Sequence, residues 1–410
     1  MRIAVITPER HKLGGQEQYL DALIPELDQL GHEVGLWHEI EGHHGRARIS
    51  LGPANPSWSV EQLGVEPAIA ALRGWRPDVL YCHGMLTSAW QRRLLECAPG
   101  VYFAHAYHGA CISGLKAFAF PRRRPCSRPF GWPCLLHYFP HRCGGLDPRT
   151  MWRLYRREKE RLEVLSRYAV ILTHSTFARE QYARLGLNCR TITFCVMEPE
   201  PSPQPLVSLE GMPRMRHQAP DRILFLGRME PAKGGDLLLE ALPVAQHALG
   251  RPLKVVWAGD GFRRQAWQKR AAQLPGISSE FPGWIDRADL PTLFARTDLL
   301  VVPSLWPEPF GMVGPEAGRY GVPAAAFRVG GIPNWLEHGS SGYLAPADPP
   351  TAEGLAGAIV GCLRDPEEHA RLREGARRLA RRFTLLSHLA ELVPVLEEAA
   401  RNPNLASARR

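Results

Sequence analysis

Short runs of β-branched and aliphatic residues alternate with stretches of helical spacing along most of this 410-residue chain. Ile3–Thr7, Glu33–Trp37, Val79–Cys82, Val101–Ala104, Ala169–His174 and Thr191–Phe194 read as strands. Between them Glu17–Leu30, Ala68–Trp75, Leu86–Cys97, Met151–Tyr168 and Phe177–Leu185 carry helical periodicity. This alternation predicts parallel sheets flanked by helices. It breaks over 198–220, where proline recurs at alternate positions in Glu-Pro-Glu-Pro-Ser-Pro-Gln-Pro and favours a stiff, extended connection. It restarts at Arg222, with strands at Ile223–Leu226, Lys254–Ala258, Leu299–Val302 and Ala324–Phe327. The expected fold class is therefore α/β, with two Rossmann-like domains at 1–198 and 221–384 joined by a linker at 199–220. A C-terminal helix and tail at 385–410 is expected to pack back on the first domain. Doubly wound domains bind ligands at the carboxyl ends of their strands, so the site is expected in a crevice between the two.

Composition narrows the partners. The chain is 45% hydrophobic and 22% charged, with a net charge of +9, which suits anions such as nucleoside diphosphates, phosphorylated acceptors or anionic lipid. No helix-turn-helix, RNA-recognition or zinc-finger pattern points to nucleic acid. The opening Met-Arg-Ile-Ala-Val-Ile-Thr-Pro reads as a buried strand rather than a secretory signal, so a cytoplasmic location is expected, with docking on the inner face of the cell membrane as a variant of it. For that docking the basic stretch Arg371–Phe383 has two readings: a domain-packing helix with a solvated basic face, which we favour, or a surface for anionic lipid.

Three segments carry the candidate chemistry. Gly14-Gly15-Gln16-Glu17 joins a strand to a helix, where a backbone without side chains can approach an anion. Gly227-Arg228-Met229-Glu230-Pro231-Ala232-Lys233-Gly234 places two cations at a strand's carboxyl end, able to neutralise a leaving diphosphate. Pro303–Glu316 follows the strand Leu299–Val302 and sets Glu308 and Glu316 on either side of a glycine-containing loop whose amides face a ligand.

In these motifs the chain resembles the retaining glycosyltransferases of family 4, of GT-B architecture: two glutamates with seven residues between them, the Gly-Gly-x-Glu loop, Gly-His-Glu-Val at Gly31–Val34, Gly-Arg…Lys-Gly, Ala-Gly-Asp-Gly at Ala258–Gly261, and Gly330-Gly331-Ile332-Pro333. The resemblance implies a retaining enzyme that moves a hexose from a UDP-, GDP- or ADP-linked donor to a hydroxyl of a glycan, lipid or small molecule, and since the cleft motifs hold no Asp-x-Asp for a divalent ion, metal-independent transfer is expected. It implies that Arg228 and Lys233 bind the diphosphate, that Glu316 accepts from the ribose hydroxyls and that Glu308 contacts the transferred sugar. It also implies that the backbone of Phe310, Gly311, Met312 and Val313 holds sugar hydroxyls and phosphate, that Gly15 lets the first domain close, and that Trp284 belongs to a base-binding loop. His105, with His108 nearby, matches a cleft histidine close to the acceptor, although Ala106 replaces the aspartate common after it. Asn334 stands where relatives carry glutamate. An epimerase, a silent binding protein and a dinucleotide oxidoreductase are the rival classes; the last lacks Gly-x-Gly-x-x-Gly after the first strand.

No cofactor is expected for catalysis. Cys111, Cys126, Cys134 and Cys143 fall in an insertion at 106–148 that has little regular periodicity. A structural zinc, free thiols and disulfides are the three readings of this cluster.

Overall fold

The computed structural model describes residues 1–12, 14–42, 47–84, 87–196 and 220–402. In chain order its strands are β1 (Arg2–Glu9), β2 (Glu33–Ile40), β3 (Ser57–Ser59), β4 (Val79–Cys82), β5 (Gly100–Ala104), β6 (Ala117–Phe118), β7 (Arg124–Pro125), β8 (Val170–Thr173), β9 (Cys189–Thr191), β10 (Asp221–Leu226), β11 (Leu253–Ala258), β12 (Ile277–Gly283), β13 (Leu299–Val302), β14 (Ala324–Phe327) and β15 (Gly342–Ala345). The chain divides into two units. The first comprises Met1–Lys116, Ser127–Met197 and Thr384–Arg410; the second comprises Ala117–Cys126 and Glu198–Phe383. Apart from Pro220, the expected linker lies outside the described residues.

The first unit holds a parallel sheet in the order β3-β2-β1-β4-β5-β8-β9. Ile3 to Ile6 on β1 are fully buried because helices cover both faces of the sheet. The chain winds outward from β1 to β2 and β3, then outward again from β4, so strand order reverses between β1 and β4. The helix Leu385–Arg401 completes this unit. His388 bonds the Thr193 carbonyl and the Tyr19 hydroxyl at 2.6 Å each, and Arg190 pairs with Glu398 at 2.6 and 2.8 Å. Thr191–Phe194, read as a strand, is mostly irregular; the strand pairing with β8 starts earlier, at Cys189.

The second unit holds a parallel sheet in the order β12-β11-β10-β13-β14-β15, with its reversal between β10 and β13. Its edge strands escaped the sequence reading. Ile-Ser-Ser-Glu-Phe-Pro-Gly in β12 has no continuous apolar run, and its Pro282 is tolerated because the strand is an edge. The stretch Arg371–Phe383 buries Leu372, Ala376, Leu379, Ala380 and Phe383 within this unit, while Arg371 and Arg377 pair with Glu368 and Glu374. It is a packing helix with a solvated basic face.

The insertion at 106–148 departs from expectation twice. Its stretch Ala117–Cys126, which forms the β6–β7 hairpin, belongs to the second unit rather than the first. The remainder does have a core: Ile112, Phe130 and Tyr138 are buried, with Cys134, Leu135, Cys143, Met151, Leu154 and Tyr155 packed around them. Cys134 and Cys143 thus serve as small apolar side chains. Among the described residues no three Cys, His, Asp or Glu side chains gather as metal ligands, and no disulfide joins Cys111, Cys126, Cys134 and Cys143.

Candidate functional site

Ligands of doubly wound sheets sit where strand order reverses. In the second unit that point lies between β10 and β13, and the segments that follow these two strands carry Arg228, Lys233, Glu308 and Glu316. Pro231–Lys233 forms a single 3-10 turn closed by Gly234, whose φ is +73°. A Cβ on Gly234 would run into the Pro303 carbonyl, so only glycine lets the two loops touch. The contact is fixed by Leu305 N–H donating to Ala232 O at 2.8 Å. It delivers Lys233 Nζ to Glu308 Oε1 at 2.7 Å and holds it 5.6 Å from the centre of the Trp306 ring. Ser304 Oγ donates to the same carboxylate oxygen at 2.6 Å. Glu308, only 5% exposed, is thus oriented by two donors.

The loop after Glu308 is clamped from β14's side. Gly330 has φ +54°, and a Cβ there would strike the Glu308 carbonyl. Gly331 N–H donates to Glu308 O at 2.7 Å, and Trp335 Nε1–H donates to Phe310 O at 2.6 Å. Phe310 packs against Phe383 with ring centres 5.4 Å apart. The helix Val313–Arg319 begins here, and the amides of Gly311, Met312 and Val313 bond no described residue, as expected at a helix start. Glu316 lies in the first turn with Arg287 at 3.9 Å. Burial raises the pKa of its carboxyl, while Arg287 and Arg319 oppose the rise. Arg228 is mostly exposed and pairs with Glu230 at 3.1 Å. Trp284, past β12 at the sheet's edge, is 70% exposed and presents a free ring face, while Phe281 stacks on Trp257. The structure therefore gathers Lys233, Glu308 and the 310–313 backbone tightly; Trp284 stands two strands away from β10. Ser304, Trp306, Arg287 and Trp335 are site residues that the sequence reading missed. Serine and tryptophan next to the glutamate motif were the available signal.

In the first unit, Gly15 opens the helix Gly15–Gln29 past β1, and Glu17 caps it by accepting from Gly14 N–H at 2.8 Å. His105 follows β5 directly. Its Nε2 meets His83 Nδ1 at 2.9 Å and its Nδ1 meets His174 Nε2 at 3.1 Å. Both ring nitrogens are engaged, so His105 takes up a proton only by breaking this chain. Burial, followed by the nearby His388, pushes its pKa down to about 3, and it is neutral. The signal was legible: Val-Leu-Tyr-Cys-His, Val-Tyr-Phe-Ala-His and Val-Ile-Leu-Thr-His each end a strand in histidine. His108 accepts from Arg161 at 3.0 Å. Arg161 and Arg157 also hold the buried Glu158, whose carboxylate takes Gly109 N–H at 2.7 Å.

Residues 13–194 match the model of "Glycosyltransferase Family 4" and residues 215–379 that of "Glycosyl transferases group 1". The glycogen synthase of Mycobacterium tuberculosis is 31% identical over 362 residues, spanning 86% of this chain and 73% of that protein. The chain is a group 1, family 4 glycosyltransferase. The D-inositol 3-phosphate glycosyltransferase of Jonesia denitrificans is 33% identical, but over 43% of each chain, so the match spans less than half of that relative's length. Solved GT-B structures share the fold. Anabaena HepE in complex with UDP superposes with a TM-score of 0.64 at 20% identity, covering 97% of this chain and all of HepE. WaaG, a glycosyltransferase involved in lipopolysaccharide biosynthesis, gives 0.65 at 16% identity, covering 96% and 99%. The glycosyltransferase has no helix among its described residues long and apolar enough to cross a membrane.

Proposed function

We propose that this glycosyltransferase transfers a hexose from a nucleoside-diphosphate donor to an acceptor hydroxyl, with retention and without a metal ion, in the synthesis of a glycan, glycolipid or glycosylated metabolite. The observation that carries this reading is the Lys233–Glu308–Ser304 cluster beside the unpaired amides of Gly311–Val313, at the β10/β13 reversal. Lys233, Arg228 and those amides offer positive charge to the departing diphosphate. Glu316, shielded and less readily ionised than an ordinary carboxyl, suits the ribose hydroxyls. Glu308 is anchored by two donors, which suits it to orienting a sugar hydroxyl rather than attacking the anomeric carbon. Retention then follows from attack on the face the diphosphate leaves, with a phosphate oxygen taking the acceptor proton. The complexes of HepE with UDP and UDP-glucose support this class of donor, and the site leaves the choice among UDP, GDP and ADP open.

The acceptor side is read as peripheral to an anionic membrane on its cytoplasmic face. Trp132, Leu136 and Phe139 project from one face of the segment that includes the helix Pro133–His141, and are 67%, 62% and 38% exposed. Trp152 joins Arg149, Arg153 and Arg156 around an open groove of about 690 Å³. Apolar side chains set among cations fit an anionic lipid surface.

The test is incubation with UDP-, GDP- and ADP-sugars and a panel of hydroxyl acceptors, with NMR of the product anomer in the presence of chelator. A new glycosidic bond of unchanged anomeric configuration is expected. Release of free or epimerised sugar without an acceptor, inversion, or loss of transfer under chelator would overturn the corresponding part of the reading.

A further inference from the structure

Trp306 stands beside Lys233 because of one backbone bond. Leu305 N–H donates to Ala232 O at 2.8 Å, and Lys233 and Trp306 are the next residues along their two segments. Gly234 permits the approach, since a Cβ there would overlap the Pro303 carbonyl. Trp306 is buried, and Lys233 Nζ lies over its ring, 5.6 Å from the centre. An ammonium is drawn to an aromatic face within about 6 Å, and indole attracts it most strongly.

The charges around the ammonium give this contact a consequence. Among the described residues its one hydrogen-bond acceptor is Glu308 Oε1, at 2.7 Å, which also accepts from Ser304 Oγ at 2.6 Å. An ammonium has three donors, so two remain for a ligand. A second carboxylate in place of the ring would hold the ammonium as firmly, but it would make the cluster net negative and repel a diphosphate. The indole ring attracts the cation through its quadrupole and carries no net charge, so it leaves the charge balance and the remaining donors unchanged. An aliphatic side chain of similar size would fill the space without this pull, and the flexible lysine stem would let the ammonium turn back to water.

We propose that Trp306 is a positioning residue for Lys233: its ring face holds the ammonium at Glu308 with its other donors available to the diphosphate of the donor. This rests on the donor site proposed above. Trp306 acts through the charge of Lys233, so its contribution exists only while the ammonium is there, and it favours the diphosphate over the nucleoside attached to it.

Isothermal titration with UDP, GDP and ADP first selects the diphosphate that the wild-type protein binds; its nucleoside is then titrated in parallel. Trp306→Leu should weaken diphosphate binding about five- to tenfold and leave nucleoside binding within about twofold. Trp306→Phe, which keeps an aromatic face, should recover most of the loss. In the Lys233→Met background the ring has no ammonium to hold, and Trp306→Leu should change diphosphate affinity by less than about twofold. A loss in that background as large as in the wild type means that Trp306 shapes the loop independently of the charge, and overturns the inference. Unchanged diphosphate affinity in Trp306→Leu, or an equal loss of nucleoside affinity, overturns it too, while the donor site stands. Should Trp306→Leu fail to fold, Trp306→Met, whose unbranched side chain fills irregular space, decides the question in the same cycle. Wild-type diphosphate affinity in Lys233→Met, or no binding of any diphosphate by the wild-type protein, instead removes the donor-site reading and the inference with it.

Discussion

Lys233 and Glu308 each depend on the other. Removing the ammonium leaves a 5%-exposed carboxylate with one side-chain donor among the described residues, Ser304. Lys233→Ala should therefore lower the melting temperature, at a cost of about 1–3 kcal/mol, and should lower turnover about a hundredfold or more. Steady-state kinetics and a thermal melt check both effects, and wild-type turnover would sink the diphosphate assignment. Glu316→Ala should act differently: a ribose contact made equally in ground and transition states raises donor KM and leaves kcat nearly unchanged. At this scale the sequence was partly legible. Lys233, Glu308 and Glu316 stand in spacings that announce them. Ser304 and Trp335 are ordinary residue types whose importance comes from what the fold sets against them. His105 was legible as a residue but not as a bonding pattern, because its partners lie 22 and 69 positions away.

The ends of β4, β5 and β8 form a row of histidines, joined through Tyr19 and His388 to the last helix. Burial is the first cause lowering the pKa of His83, His105, His174 and His388; His105 falls to about 3 and His388 to about 4. An unfolded histidine titrates near 6.5, so below that pH the unfolded chain binds protons that the fold refuses. Stability of the first unit is then complete above about pH 6.5 and falls with acid, by up to about 1.4 kcal/mol per pH unit for each such histidine. Urea melts between pH 7.5 and 4.5 should show this decline, and His388→Gln should reduce its slope; a flat profile would refute it. The helix Pro133–His141 supports a separate prediction. Anionic vesicles should sediment the protein at low salt, and Leu136→Ser with Trp132→Ser should weaken that binding several-fold without moving the melting temperature, because both side chains are exposed. Strands buried on both faces were readable as apolar runs, whereas β12 and the hairpin were not. Their pairing is set by neighbours rather than by their own pattern.

Each unit has its own sheet and its own buried side chains. A nucleoside diphosphate that binds the second unit stabilises that unit by mass action. Calorimetry with the preferred diphosphate at about a hundred times its Kd should raise the transition of the second unit by about 2.7 kcal/mol of stability and move the first far less. Equal shifts in both would count against the assignment of Lys233 and Glu308 as the donor site. The broad plan of two α/β units was legible from the restart of strand alternation at Arg222. The membership of Ala117–Cys126 was not, since nothing in those ten residues names the sheet they join. The return of Thr384–Arg410 to the first unit has a further consequence, one of time rather than space. A chain made from its N-terminus finishes the second unit's last segment at Phe383, before the helix Leu385–Arg401 exists. Tyr19 is synthesised well before its partner His388, so of the two units the one that begins first is the later to be completed.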